Sequence, residues 1–314
     1  MSRIAYVNGR YLPFGEAHIH VEDRGYQLGD GVYEVCEIRD GALVDERRHF
    51  ERLSRSLAAL RIVPPLSSEP LRFVVAETVR RNRVREGLVY VQITRGVARR
   101  DHGFPEGSPK AALVVTVRAL DRAKIDASAR TGISVITVPD DRWGRVDIKT
   151  IGLLPNVLAR QAAKEAGAKD AWFVDDEGFV TEGASSNAWI VKDGVLRTRE
   201  SSSRILTGIT MTVVKELAAD LQIKVDLRAF TVEEVRTADE AFLTSATQTV
   251  MPVVRIDGSA VGSGRPGPLA TRLREAFYRK AELGRSITQG VELTVRNNRQ
   301  VVTVQSCAAA GTCL

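Results

Sequence analysis

The chemistry that this sequence can support gathers at a few short stretches. Lys149, in Asp147-Ile148-Lys149-Thr150, sits beside an apolar neighbour and ahead of a helix. Desolvation favours the neutral form of a lysine, which is the form that attacks a carbonyl carbon. A lone lysine is otherwise a solvated surface charge. Thr181-Glu182-Gly183-Ala184-Ser185-Ser186-Asn187 joins two strands and sets one acid before small residues. That pattern suits an ordinary turn. It also suits a carboxylate set against a cationic heterocycle, with small side chains admitting a flat ligand. Leu206-Thr207-Gly208-Ile209-Thr210 opens a helix whose free N–H groups can receive a phosphate or merely cap the helix. Arg52 lies off the apolar stripe of its helix, where a solvated arginine is the plain reading. Arg100 and His102 occupy a loop, where an arginine fork can grip a carboxylate or simply face solvent.

The elements that must position these residues follow from pattern. Asn8-Gly9 predicts a type I′ hairpin. Val32 to Ile38 reads as a strand with Tyr33, Val35 and Glu37 on one face. Glu46 to Ile62 reads as a helix with Phe50, Leu53, Leu57 and Leu60 on one stripe, stopped by Pro64-Pro65. A second helix spans Leu71 to Asn82. Strands at Leu88 to Thr94 and Ala111 to Arg118 flank a loop rich in glycine, proline and charge. These make a small α+β domain over residues 1–119. The polar stretch at 120–130 reads as a linker. Residues 131–285 carry a strand at Ile133 to Val138 and a strand-like region before Lys149. A helix capped by Asn156 and stopped by Gly167 comes next. Two hairpins turn at Asp175 to Gly178 and Lys192 to Gly194. A helix from Gly208, strands near 225–230, 241–244 and 252–256, and a helix at Leu269 to Glu282 complete this part. Residues 286–314 are polar and unpatterned, and read as a disordered or non-native tail.

Composition bounds the rest. With 44% hydrophobic and 27% charged residues, the 314-residue chain is of globular type. No apolar run approaches the length of a membrane helix. Cys36, Cys307 and Cys313 form no disulfide framework, so a reducing cytoplasm is expected. His18 and His20 would share a strand face without a third ligand, so no metal is expected. The net charge of +6 raises nucleic-acid binding. The basic residues are interleaved with acids, however, and no basic arm or aromatic set accompanies them. Gly262-Ser263-Gly264-Arg265-Pro266-Gly267 spells a dinucleotide fingerprint, but Pro266 and its late position make it a loop.

Taken in order, the motifs are more specific than any one of them. They are Glu22-Asp23-Arg24-Gly25-Tyr26-Gln27-Leu28-Gly29-Asp30-Gly31-Val32-Tyr33-Glu34, Arg52, Arg95-Gly96, the Lys149 and Glu182 motifs, and Gly208-Ile209-Thr210. Over about residues 3–285 the sequence resembles the fold-type IV pyridoxal-phosphate enzymes, and within them the D-amino acid aminotransferases. The resemblance implies a two-domain α+β fold, with a small N-terminal α/β domain and a larger β-barrel-like C-terminal domain bearing helices. It implies pyridoxal 5′-phosphate between the domains, a homodimer, and amino acids and 2-oxo acids as substrates.

The same resemblance implies the residue roles. Lys149 would hold the cofactor in Schiff-base linkage and carry the proton between substrate Cα and cofactor C4′. Glu182 would keep the pyridine nitrogen protonated, and Leu206 would pack on the ring. Arg52, with the Ile209 and Thr210 N–H groups behind Gly208, would hold the phosphate. Ser245, Ala246 and Thr247 stand at the other phosphate segment, with Ala246 where a threonine is usual. Ala184 stands where a serine is common. Tyr33, Arg100 and His102 would form a carboxylate trap, with the Arg100 loop reaching in from the other subunit. Two alternatives share the fold: a branched-chain L-amino acid aminotransferase and an aminodeoxychorismate lyase. The first has an Asn-Tyr soon after its lysine, and Thr150-Ile151-Gly152-Leu153-Leu154 has no tyrosine. A basic nucleic-acid-binding protein is the distant alternative.

Overall fold

The structure, a computed structural model, describes residues 3–284. The expected tail at 286–314, with Cys307 and Cys313, lies outside the described residues. The elements of the first part are β1 (Ile4–Val7), β2 (Arg10–Pro13), α1 (Arg24–Leu28), β3 (Gly31–Arg39), β4 (Ala42–Leu43), α2 (Glu46–Ala59), α3 (Ser68–Asn82), β5 (Gly87–Thr94) and β6 (Ala112–Ala119). They build a six-stranded sheet in the order β2-β1-β6-β5-β3-β4. Asn8 and Gly9 take the positive φ values, 46° and 99°, that the tight β1–β2 turn requires. Helices α2 and α3 pack on one face. Val32, Cys36 and Ile38 of β3 meet Phe50, Leu53 and Leu57 of α2 there, so period two and period 3.6 converge on one core. The other face of β3 carries Tyr33 and Val35 toward a cavity.

The second part comprises α4 (Arg122–Thr131), β7 (Ile133–Pro139), α5 (Leu154–Glu165), β8 (Asp170–Val174), β9 (Phe179–Gly183), β10 (Asn187–Lys192), β11 (Val195–Thr198), α6 (Ile209–Asp220), β12 (Val225–Leu227), β13 (Phe230–Thr231), α7 (Val232–Arg236), β14 (Glu240–Ser245), β15 (Thr249–Ile256), β16 (Ser259–Ala260) and α8 (Pro268–Lys280). Its ten-stranded sheet runs β12-β11-β10-β14-β15-β7-β8-β9-β13, with β16 on β15. This sheet curls into a half-barrel. Trp172, Trp189, Phe230 and Phe242 are fully buried within its cores. Helices α6 and α8 cover one side through Met211, Val214, Leu273 and Phe277.

Four local expectations are corrected. The polar stretch expected as a linker is helix α4, where Asp121 Oδ1 accepts the Lys124 N–H at 3.1 Å as an N-cap. Only Ala129 of that helix is buried, so it shows almost no apolar period. Asn156 does not cap α5: the helix starts at Leu154 with Pro155 in its first turn, and Asn156 Nδ2 donates to Ala184 O at 2.9 Å. No strand precedes Lys149, because residues 140–149 form a loop. His18 and His20 lie in an irregular stretch, not on a strand.

Candidate active site

Between the two sheets lies a cavity of about 730 Å³, in the range of small-molecule sites. Lys149 reaches it because its loop is stitched to β3. The Tyr33 N–H donates to Lys149 O at 3.0 Å, and the Ile151 N–H donates to Gly31 O at 3.2 Å. Gly31 permits this approach, since a Cβ there would lie 3.0 Å from Ile151 Cδ1 of the loop and 2.8 Å from Ile93 O of β5. Ile148 plugs into the core of the first sheet. The Lys149 N–H donates to Ser56 Oγ of α2 at 3.3 Å. The amine Nζ stands 4.3 Å from the centroid of the Tyr33 ring, which stacks on Tyr90. The loop backbone is thus held from β3 and α2, and the side chain enters the cavity beside the Tyr33 ring.

Glu182 is the penultimate residue of β9 and is 5% exposed. Its Oε2 accepts Asn187 Nδ2 and the Leu206 N–H, each at 3.1 Å, and its Oε1 accepts Arg142 Nη1. Burial is the largest influence and pushes its carboxyl up to about 7, against the lowering effects of Arg142, the Leu206 N–H and Lys149. Small residues make this wall. Gly183 has no room for a Cβ, which would lie 2.1 Å from Ser186 Oγ, and Ser186 Oγ donates to Asp170 at 3.0 Å. Ala184 leaves no polar gap: its N–H donates to Ala171 O at 2.8 Å and its carbonyl takes the Asn156 bond.

The opposing features suit an anion. Helix α6 begins at Gly208 without any side-chain cap, and Ile209 and Thr210 line the cavity. Free N–H groups at a helix start carry a partial positive charge. Arg52 faces the same cavity, buried and not solvated. Its Nε and Nη2 donate to Glu34 at 2.7 and 2.9 Å, and its Nη1 donates to Thr207 O at 3.0 Å. His49 Nδ1 lies 2.8 Å from Glu34 Oε2. Burial raises the Glu34 carboxyl, but the charge and hydrogen bonds of Arg52, helped by His49, hold it far below the usual carboxylate range. Ser245, Ala246 and Thr247 also line the cavity, with Ser245 Oγ and Thr247 Oγ1 3.2 Å apart.

Tyr33, Lys149, Glu182, Leu206, Gly208, Ile209, Thr210, Arg52 and 245–247 are therefore brought together. Arg100 and His102 are not: both are exposed on the β5–β6 loop, away from the cavity of their own chain. Arg95, part of the same motif set, ties the root of that loop down. Its Nε and Nη2 donate to Asp30 at 2.7 and 2.9 Å, where Arg24 Nε also donates at 2.8 Å. His49 and Arg142 were missed by sequence reasoning, and Glu34 and Asn187 were noticed within motifs without a role. Asn187 Nδ2 bridges Glu182 to Leu206 O, at 2.8 Å from the latter.

The Amino-transferase class IV family model matches residues 31–256. The chain belongs to the class IV aminotransferases. A D-alanine aminotransferase of Staphylococcus haemolyticus is 40% identical over 88% of this chain and 97% of its own length. One of Bacillus licheniformis is 41% identical over 86% and 94%. Among solved structures, a branched-chain amino acid aminotransferase of Escherichia coli matches with a TM-score of 0.82 at 26% identity, over 89% of this chain and 94% of that one. The T.th. branched-chain amino acid aminotransferase with pyridoxamine 5′-phosphate also matches at 0.82, with 29% identity and the same coverage. As a class IV aminotransferase the protein has the fold-type IV architecture and uses pyridoxal 5′-phosphate. The cavity fits that group. A desolvated carboxyl held up at about 7 favours a cationic partner such as a pyridinium, and the uncapped start of α6 beside Arg52 suits a phosphate. Among the described residues no helix is long and apolar enough to cross a membrane.

Proposed function

We propose that the protein transfers the amino group of a D-amino acid, D-alanine or D-glutamate, to a 2-oxo acid such as 2-oxoglutarate or pyruvate. The observation that carries this reading is the near-full-length match, at about 40% identity, to enzymes named D-alanine aminotransferase. The branched-chain reading has support in the solved structures, but at 26 and 29% identity. The absence of a tyrosine at 150–154 and the Arg100-x-His102 pair also favour D-amino acids.

Pyridoxal phosphate, when bound, supplies an aldehyde that captures an amino group and a ring that draws electron density from the substrate Cα. The chain's own groups would do the rest. Lys149 Nζ holds the cofactor and then takes and returns the proton at Cα, next to the Tyr33 ring. Glu182 holds a proton at the ring nitrogen, which makes the ring an electron sink. Arg52 and the Ile209 and Thr210 N–H groups would anchor the phosphate, and the 245–247 turn lines the same cavity. Leu206, whose backbone N–H donates to Glu182, would pack on the ring. Tyr33 contributes to holding the substrate carboxylate.

Arg100 and His102 act, in this reading, in the cavity of a second copy. A homodimer is further supported by exposed apolar residues on α5: Leu154, Val157 and Leu158 are 69, 58 and 58% exposed. Cys36, a buried free thiol, suits a reducing, cytoplasmic setting. The test is direct. Purified protein given D-alanine and 2-oxoglutarate should release pyruvate, and Lys149→Ala should abolish this. Absence of pyruvate here, and of 2-oxoglutarate when D-glutamate and pyruvate are supplied instead, with cofactor bound to the wild type, would defeat the reading.

A further inference from the structure

Arg142 stands in the 140–149 loop and touches none of the groups that the sequence motifs supply except Glu182 and its neighbour Thr181. Its guanidinium is nevertheless one of the most tightly held in the molecule. Nε and Nη2 donate to the two oxygens of Asp140, both at 2.8 Å, and Nη2 also donates to Thr181 Oγ1 at 3.2 Å. The guanidinium carbon lies 4.3 Å from the centroid of the buried Phe173 ring. Asp140 in turn accepts Thr181 Oγ1 at 2.6 Å. The side chains of Arg142, Asp140 and Glu182 are only 5, 7 and 7% exposed. The remaining arm, Nη1, reaches Glu182 Oε1.

We propose that Arg142 is a positioning residue that keeps Glu182 ionised, so that the proton between the Glu182 carboxyl and the cofactor's ring nitrogen resides on the nitrogen. The inference rests on the reading of Glu182 given above and names what makes that reading work. A carboxyl in a desolvated wall tends to take the proton itself, and a neutral acid beside a neutral pyridine is no electron sink. Four groups face Glu182. Asn187 Nδ2 and the Leu206 N–H are neutral donors. Lys149 is the group that does the chemistry, so its charge does not persist through turnover. Arg142 is the permanent cation, and Asp140 and Thr181 fix its plane so that one N–H points at Oε1. Asp140 serves as an anchor because burial, which raises its carboxyl, is outweighed by the bonds and charge of Arg142 and the Thr181 hydroxyl.

The test follows the proton directly. Cofactor labelled with ¹⁵N in the ring is bound to the wild type, Arg142→Met, Arg142→Lys and Glu182→Gln, and the ring-nitrogen shift is recorded from about pH 6 to 9. Wild type and Arg142→Lys should give the protonated-pyridine resonance. Arg142→Met should move it toward neutral pyridine, with kcat falling at least about tenfold and KM changing far less. A protonated resonance in Arg142→Met while Glu182→Gln loses it overturns the role of Arg142 alone. A protonated resonance in Glu182→Gln overturns the reading of Glu182 on which it rests. If Arg142→Met does not fold, the double variant Arg142→Gln/Asp140→Asn, which removes one cation and one anion together, takes the same measurement with the same outcomes.

Discussion

Lys149 and Glu182 make different demands on their surroundings, and each demand can be measured. Lys149 is the only lysine placed against an aromatic face in this cavity among the described residues. Borohydride reduction of the yellow protein should therefore fix the cofactor to Lys149, and peptide mapping that puts the label on another lysine would overturn the assignment. Glu182→Gln should keep the cofactor and lose most of the rate, on the order of a hundredfold or more, since each 1.4 kcal/mol or so of barrier is tenfold. Unchanged turnover would remove Glu182 from the chemistry. The same carboxyl also couples to folding. Its value is raised from 4.5 to about 7, so between those values the cofactor-free fold binds a proton that the unfolded chain has released. Stability must then fall as pH rises through that window and level off above it, by a few kcal/mol at most. Thermal melts of cofactor-free protein should show wild type losing ground to Glu182→Gln between about pH 5 and 7.5. Parallel curves would mean that Glu182 is not desolvated.

At the scale of elements, the site depends on two close approaches. Gly208 starts α6, and a Cβ there would lie 2.1 Å from Asn187 Oδ1, the residue that holds Glu182 and Leu206 together. Gly208→Ala should displace Asn187 and lower cofactor occupancy, read as lost visible absorbance at fixed cofactor concentration; full occupancy would show that the start of α6 tolerates a side chain. Helix α2 contributes the other approach, through the fork from Arg52 to Glu34 on β3. Glu34→Gln should weaken pyridoxal phosphate binding about tenfold, roughly 1.4 kcal/mol, while leaving pyridoxal, which has no phosphate, nearly unaffected. Equal losses for both would mean general destabilisation. Lys149, Glu182 and Gly208 to Thr210 were legible in the sequence because each belongs to a short motif whose order is specific. Glu34, His49 and Arg142 were not, because their meaning lies in partners 15 to 40 residues away in sequence. Alternation on β3 placed Tyr33 and Val35 correctly, but gave no reason for a carboxylate on the buried face. Helix α4 was hidden for a related cause: a helix that buries only Ala129 has no apolar stripe to read.

The whole molecule sets a cavity between two sheets, and segments far apart in sequence meet. Asp45 N–H donates to Glu282 O at 2.7 Å and Gly284 N–H to Leu43 O at 2.9 Å, so the residues after α8 close onto the first sheet. The Arg100 loop is exposed, so the role proposed for it would be a property of the assembly. Co-expressing Lys149→Ala with Arg100→Ala should restore activity that neither variant has alone, because a mixed dimer contains one cavity with both residues intact. No gain on mixing would place Arg100 outside the partner's site. Stereochemistry belongs to this scale as well. In the proposed reaction Lys149 would meet the substrate from one face, so the place where the carboxylate is held would decide which enantiomer offers its Cα–H to that base. The most direct measurement is kcat/KM for D-alanine and L-leucine as donors to 2-oxoglutarate, with the same holoenzyme preparation. A preference for D-alanine of at least about a hundredfold, some 2.7 kcal/mol of transition-state binding, is the expected result, and a preference for L-leucine would contradict it.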